Sequence, residues 1–391
     1  MDELTKLHCD LVSIPSVNPM GRALDGPGFL EAGVTAYLAD FFDRLGVPYV
    51  RQRVADRREN IIAWIDRRGS QDTILMEAHQ DTVPTDNMVI EPFSAKIENG
   101  RVYGRGACDI KGGMAAMLAA FARLAREAQQ ASASAIMACT VDEEYTFTGA
   151  TALVQLWNGE AEPAVPLRPT LAVVAEPTDL DIVNTHKGAV RWKIEVPGRA
   201  CHSSQPQLGV NAIYRMGRVL QALEGYAGGL LELPPDPQLG TPTFNVGLIE
   251  GGLSTNTVPD RCTVNVDRRL LPEEDPQQVF DAVRCFLSDR AELDFEIEFL
   301  PAWMRSPGLS PLGSEPLVAI LGEAINGVRG RHEVKGVPYG TDAAVIARLG
   351  IPTVVFGPGS VNQAHTADEW LSIEELRQAS EIYYRLLCAG G

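Results

Sequence analysis

Along residues 2–11 and 28–45, apolar side chains recur at spacings of three and four, which predicts two helices with one buried face each. Residues 60–65 and 73–78 read instead as strands, the second ending at His79. Met114, Met117, Leu118, Phe121 and Leu124 share one face of a helix over 114–127. Residues 133–141 are an apolar run with the length of a buried strand, ending at Asp142. Helix over 151–156 and another buried strand over 170–175, ending at Glu176, follow. Strands alternating with helices predict a largely parallel sheet covered on both faces.

After Lys187 the pattern changes. Residues 190–196 alternate like an antiparallel strand with one wet face. A helix over 210–223, strands over 243–249 and 261–269, a helix over 276–288 and a strand over 293–300 complete a β-α-β-β-α-β order. From about residue 306 the earlier alternation returns, with helix over 317–327, strand over 351–356 and helix over 373–387. The expected architecture is α/β. A discontinuous catalytic domain, residues 1–187 and 306–391, has a mostly parallel central sheet flanked by helices. An α+β lid is inserted at 188–305.

Composition narrows the function. The formal net charge of −17 over 391 residues argues against a nucleic-acid or anionic-membrane partner, since phosphate binding needs basic patches. No run reaches the length of a membrane span, and the polar start Met1-Asp2-Glu3-Leu4-Thr5-Lys6 lacks the pattern of a signal peptide. A cytoplasmic protein is expected. The seven cysteines are scattered and contain no CxxC pair, which fits reduced thiols.

The chemistry lies where apolar runs meet loops. There stand His79 and Asp81, Asp109, Glu143 and Glu144, Glu176 and His365. In sheets of this kind ligands bind beyond the carboxyl ends of the strands. Carboxylates crowded together resist desolvation unless cations neutralise them, and pairs of divalent ions do so. His79 and Asp81, two apart, can point to the same side, with the carboxylate holding the second ring nitrogen. Asp109 sits among glycines in Gly106-Ala107-Cys108-Asp109-Ile110-Lys111-Gly112-Gly113. This is no phosphate-binding P-loop: the spacing fails, and Gly112 stands where Ser or Thr is needed. Such a turn suits a bridging carboxylate, and an N-cap role is compatible with it. Glu143 and Glu144 point in opposed directions in extended backbone, so one can bind metal while the other stays free as a base.

With these residues assembled, the chain resembles the M20 family of two-metal amidohydrolases and exopeptidases over essentially its full length. The landmarks are His79-Gln80-Asp81-Thr82-Val83-Pro84, Gly104-Arg105-Gly106-Ala107-Cys108-Asp109, Asp142-Glu143-Glu144, Glu176-Pro177-Thr178 and His202-Ser203-Ser204-Gln205-Pro206. The resemblance implies that His79 and Glu176 hold one ion, Glu144 and His365 the other, and that Asp109 bridges. It implies that Asp81 orients His79, that Glu143 is the general base, and that His202 stabilises the oxyanion from the partner subunit of a homodimer formed through the lid. Asn256 and Arg269 match substrate-engaging positions. From the residues alone, Arg269 reads equally as a surface ion pair.

Within the family, Gly357-Pro358-Gly359-Ser360-Val361-Asn362-Gln363-Ala364-His365, Asn184-Thr185-His186-Lys187-Gly188 and Gly209-Val210-Asn211-Ala212-Ile213 are most similar to acetylornithine deacetylases. Two departures stand out. Ala78 replaces the usual glycine before the histidine, and Gly340-Thr341-Asp342 is a tripeptide shared with broader relatives. The expected reaction is therefore two-metal hydrolysis of an N-acyl amino acid, N-acetylornithine first. A succinyl-diaminopimelate desuccinylase, a broad aminoacylase or an M20 carboxypeptidase are the alternatives. Zinc is the expected metal, and cobalt or manganese suits the same ligands.

Overall fold

The computed structural model describes residues 1–67, 69–127, 133–158 and 164–389. The chain divides into two compact units. The first comprises Met1–Asn184, Pro311–Lys335 and Thr341–Gly391, and the second Thr185–Ser310 and Gly336–Gly340. The short segment Gly336–Gly340 thus joins the second unit, although it lies well beyond residue 305 in sequence.

An eight-stranded sheet organises the first unit. Its spatial order is Tyr49–Ala55, Arg58–Ile65, Ser134–Thr140, Thr73–His79, Leu171–Val174, Thr353–Val355, Ile182–His186 and Val334–Val337. The four strands from Ser134–Thr140 to Thr353–Val355 run parallel. Tyr49–Ala55 and Arg58–Ile65 pair antiparallel on one side of these, and Ile182–His186 pairs antiparallel with Thr353–Val355 on the other. Thr73–His79 and Ser134–Thr140 are buried at every position, which is why their sequences read as unbroken apolar runs. In register, His79 stands opposite Thr140 and Glu77 opposite Val174, so the carboxyl ends of three central strands gather on one side.

Helix Lys111–Arg126 packs against the Thr73–His79 strand and helix Ile373–Ala389. Met114, Met117, Leu118 and Phe121 meet Ile74, Met76, Ile382 and Tyr383 in one core. Gly112 is needed there: a Cβ would lie 2.1 Å from Leu371 and 2.7 Å from the Ala107 carbonyl. Helix Glu3–Val12 begins where the Asp2 side chain accepts the Thr5 N–H at 2.7 Å. The helix expected from residue 28 begins only at Ala32, because Leu30 has φ +64° and the Gly28 carbonyl and Leu30 N–H bond Val17 instead.

The second unit has the chain order Gly188–Pro197, Ala212–Leu231, Thr243–Gly251, Arg261–Leu270, Pro276–Ser288 and Glu298–Phe299. Its strands form an antiparallel sheet to which Met304–Ser306 adds a further pairing. Trp192, Ile194, Val264 and Val266 meet Met216, Val219, Phe280 and Val283 of the two helices. The last strand is shorter than the 293–300 expected, since only Glu298 and Phe299 pair. Leu293, Phe295 and Ile297 still pack into that core. Their alternation marks which side chains go inward, and the backbone carrying them leaves the ladder. No helix among the described residues is long and apolar enough to cross a membrane.

Candidate metal centre

His79 ends a fully buried strand, and Asp109 precedes the helix that covers it. His79 Nε2 lies 3.2 Å from Asp109 Oδ1, 3.7 Å from Glu176 Oε1 and 4.0 Å from Glu143 Oε2. His365 Nε2 lies 3.2 Å from Asp109 Oδ2 and 3.3 Å from Glu144 Oε2. The two oxygens of Asp109 therefore face two different imidazoles. Two overlapping donor groups result, His79 with Asp109 and Glu144, and His79 with Glu143 and Glu176, each with its atoms within 4.8 Å of one another.

The charges do not balance within the protein. Among the described residues, the only cationic side chains within 4.0 Å of Asp109, Glu143, Glu144 and Glu176 are the two imidazoles. Burial pushes Glu143 and Glu176 well above the ordinary carboxylate range, and raises Glu144. Burial would lower His365, yet its hydrogen bonds to Asp109 and Glu144 raise it to about 11. Burial likewise opposes charge on His79, and the bond to Asp109 with the charges of Glu143 and Glu176 pushes it well above its usual value. A donor set that must otherwise gather protons, made of carboxylate and imidazole, fits divalent cations.

The supports are buried polar groups. The second nitrogen of His79 meets the backbone carbonyl of Asp81 at 2.9 Å, while the Asp81 carboxylate stands 3.6 Å away. That carboxylate accepts the N–H groups of Glu143 at 3.2 Å and Glu144 at 3.3 Å, and the Asn18 amide at 2.8 Å. Asp81 thus reaches His79 through its main chain, and its side chain organises the acidic turn. Glu144 is held at both oxygens, by the Val83 N–H at 3.2 Å and by His365. Among the described residues no hydrogen bond holds the Glu143 carboxylate. Asp142, at φ +66°, turns the chain just before both glutamates, in the left-handed region that aspartate tolerates.

Sequence reasoning missed several of these supports. Arg58 binds Glu31 and Asp142, and Glu369 binds the loop that carries Asp109. Beneath His79, the Thr140 hydroxyl contacts both Glu77 at 2.5 Å and Asp342 at 3.0 Å, a buried carboxyl pair. Asp342 stood out in the sequence only as part of Gly340-Thr341-Asp342. Cys108 is buried and its thiol is pushed well up by burial, which is no setting for a nucleophile.

The remaining expected site residues belong to the second unit. His202 and Asn256 are brought together there: His202 bridges to Thr257, and the Ser203 N–H donates to the Asn256 carbonyl at 3.0 Å. His202 Nδ1 lies 2.7 Å from the Ser204 hydroxyl, and His202 is exposed. Arg269 pairs with Asp267 at 2.8 Å on its own strand, and its neighbour Arg268 is buried against Glu274.

Fold and site together define a metal-dependent hydrolase. The model of peptidase family M20/M25/M40 matches residues 75–389, and the chain belongs to that family. It is 32% identical over 367 residues to an acetylornithine deacetylase of Myxococcus xanthus, covering 92% of this chain and 90% of that protein. Its fold is similar to an M20 family metallo-carboxypeptidase from Sulfolobus solfataricus, with a TM-score of 0.82 at 22% identity over 100% of this chain and 99% of the other. It is also similar to a dinuclear metal-binding M20 peptidase of Bacillus subtilis, with a TM-score of 0.68 at 17% identity over 98% and 96%.

Proposed function

We propose that this protein hydrolyses the amide bond of an N-acyl amino acid at a two-ion centre, with N-acetylornithine as the first substrate. One observation carries the reading: Asp109 offers one oxygen to each of two imidazoles, beside a Glu143 carboxylate that no hydrogen bond among the described residues holds. The deacetylase named among the relatives supports the choice of acyl group and amino acid.

His79 and Glu176 would hold one ion, Glu144 and His365 the other, with Asp109 between them. Zinc is the proposed metal, and cobalt or manganese suits the same donors. Bound ions would supply positive charge at the carbonyl and an acidified water. Glu143 takes the proton of the attacking water as the C–O bond forms at the amide carbon. As the C–N bond breaks, Glu143 hands that proton to the departing amine, leaving acetate and ornithine. His202 steadies the negative oxygen, and Asn256 and Arg269 engage the rest of the substrate. Arg269 would then exchange its pairing with Asp267 for the substrate carboxylate, which its planar donors can grip at both oxygens.

We place the active form as a homodimer in the cytoplasm. The edge strand Thr243–Gly251 exposes Leu248 and Ile249, and Ile213 and Tyr214 are exposed at the start of the helix that packs on it. That surface suits a second copy. The absence of any disulfide among the seven cysteines is in keeping with a reducing compartment.

The test is hydrolysis by zinc-loaded enzyme of N-acetylornithine beside N-succinyl-diaminopimelate, other N-acetyl amino acids and a dipeptide. A kcat/KM highest for N-acetylornithine is expected. A higher value for another member of the panel would move the assignment to that substrate and keep the chemistry. His202→Ala is expected to lower kcat about 100- to 1,000-fold with both ions retained. Mixing that variant with Glu143→Gln chains should restore measurable turnover, since a hybrid dimer then has one complete site. No recovery would place His202 in its own subunit's site.

A further inference from the structure

Two ligands of the centre are held by the sheet. His79 ends a buried seven-residue strand, and Glu176 stands two residues past Leu171–Val174. The other half is built differently. His365 lies in a loop, at φ +61°, with 52% of its side chain exposed. Only four residues further on, Glu369 is fully buried.

The Glu369 carboxylate fills the loop that presents Asp109. It accepts the N–H groups of Gly106 at 3.1 Å, Cys108 at 2.8 Å and Asp109 at 3.0 Å. Arg105, also buried, donates to it at 2.7 Å. Backbone N–H groups of one turn wrapped around an anion make a firm nest, and the guanidinium balances the charge. The other arm of Arg105 reaches Asn87 Oδ1 at 3.1 Å, and the Asn87 amide donates to the His365 carbonyl at 3.2 Å. The main chain adds a bond from the Gly104 N–H to the Glu369 carbonyl at 2.9 Å. One carboxylate therefore ties the Asp109 loop to the His365 loop, and Arg105 and Asn87 close the connection back to His365 itself.

We infer that Glu369 is a positioning residue for one ion of the pair: it clasps the His365 loop onto the Asp109 loop and sets how tightly the ion shared by Asp109, Glu144 and His365 is held. The inference rests on the two-ion reading above. Its distinguishing feature is asymmetry: Asp109 serves both ions, but His365, the second ligand on the clasp, serves only one of them.

Glu369→Gln tests it. Glutamine keeps the size but turns an NH₂ group toward backbone donors that need an acceptor. Zinc content after dialysis, and zinc affinity by chelator competition, are measured for wild type, Glu369→Gln and Asn87→Ala. Circular dichroism of each metal-free chain confirms the fold. Wild type is expected to hold two ions. Glu369→Gln should hold the ion of His365 about 10- to 100-fold more weakly and the other, which shares only Asp109 with the clasp, by clearly less, with excess zinc restoring kcat. Asn87→Ala should shift the same ion in the same direction by less. A folded Glu369→Gln that keeps both affinities, or weakens both equally, overturns the assignment. If Glu369→Gln does not fold, Asn87→Ala decides, and an unchanged second affinity overturns it. A wild-type chain that binds a single ion sinks the two-ion reading first, and this inference with it.

Discussion

Glu143→Gln is expected to lower kcat by about three orders of magnitude while both ions stay bound. The substitution keeps the shape of the side chain and removes its ability to accept a proton. The geometry makes the experiment decisive between two roles. Glu143 belongs to a donor group with His79 and Glu176, so it has the reach of a ligand. Yet it stands 4.0 Å from His79, the longest of the three carboxylate approaches to Nε2. Glu144, its neighbour, has both oxygens engaged. A base needs a carboxylate that is buried enough to be basic and loose enough to move a proton between water and amine. Burial with the neighbouring carboxylates pushes Glu143 in that direction. Metal analysis beside single-turnover kinetics checks the result. Loss of an ion in Glu143→Gln would make Glu143 a ligand, and turnover within tenfold of wild type would remove it as the base.

The centre was legible in the sequence where chemistry coincides with the end of an apolar run. His79, Glu143, Glu144 and Glu176 each follow a stretch that reads as buried strand, and the parallel middle of the sheet delivers their loops to one side. Asp109 was legible for another reason: the glycines around it have to be glycine. At Gly106, φ is +83° and a Cβ would lie 2.7 Å from Thr82. The supports were not legible, because their meaning lies in distant partners. Arg105 and Glu369 are 264 residues apart in the chain, and Glu369 reads as one more acidic residue beside Asp368. The strand Tyr49–Ala55 was missed because it lies at a sheet edge, where alternate positions face water and its arginines give a weak pattern. Asp81 shows a finer limit. The spacing of His79 and Asp81 pointed to a contact between them, and could not say that a main-chain oxygen makes it while the carboxylate turns to the next loop.

Arg58→Ala is expected to destabilise the first unit by about 3–5 kcal/mol, although Arg58 touches no expected ligand. Its guanidinium grips both oxygens of Glu31, bonds Asp142 at 2.7 Å and stands 4.0 Å from Asp81. The Glu31 and Asp81 side chains are fully buried and that of Asp142 nearly so. Burial already lifts Glu31 to about 7 with the guanidinium in place. Removing the cation leaves three acidic groups with little to balance them. The sign of the pH dependence separates this from mere loss of packing. A carboxyl such as Glu31, whose folded-state pKa is raised to about 7, takes up protons more readily folded than unfolded, so its cost is full above that value, fades as pH falls through it and is gone below about 4.5. The stability deficit of Arg58→Ala, read from urea unfolding of metal-free protein, should therefore shrink on acidification. Arg58→Lys should recover little, since one ammonium cannot span Glu31 and Asp142 as the planar fork does. Adding Glu31→Gln to Arg58→Ala should cost less than the two single changes summed, because each then relieves the other. A deficit independent of pH and strictly additive with Glu31→Gln would mean that Arg58 acts through packing alone. In that case the turn carrying Glu143 is held by Asp81 and Asn18 without it.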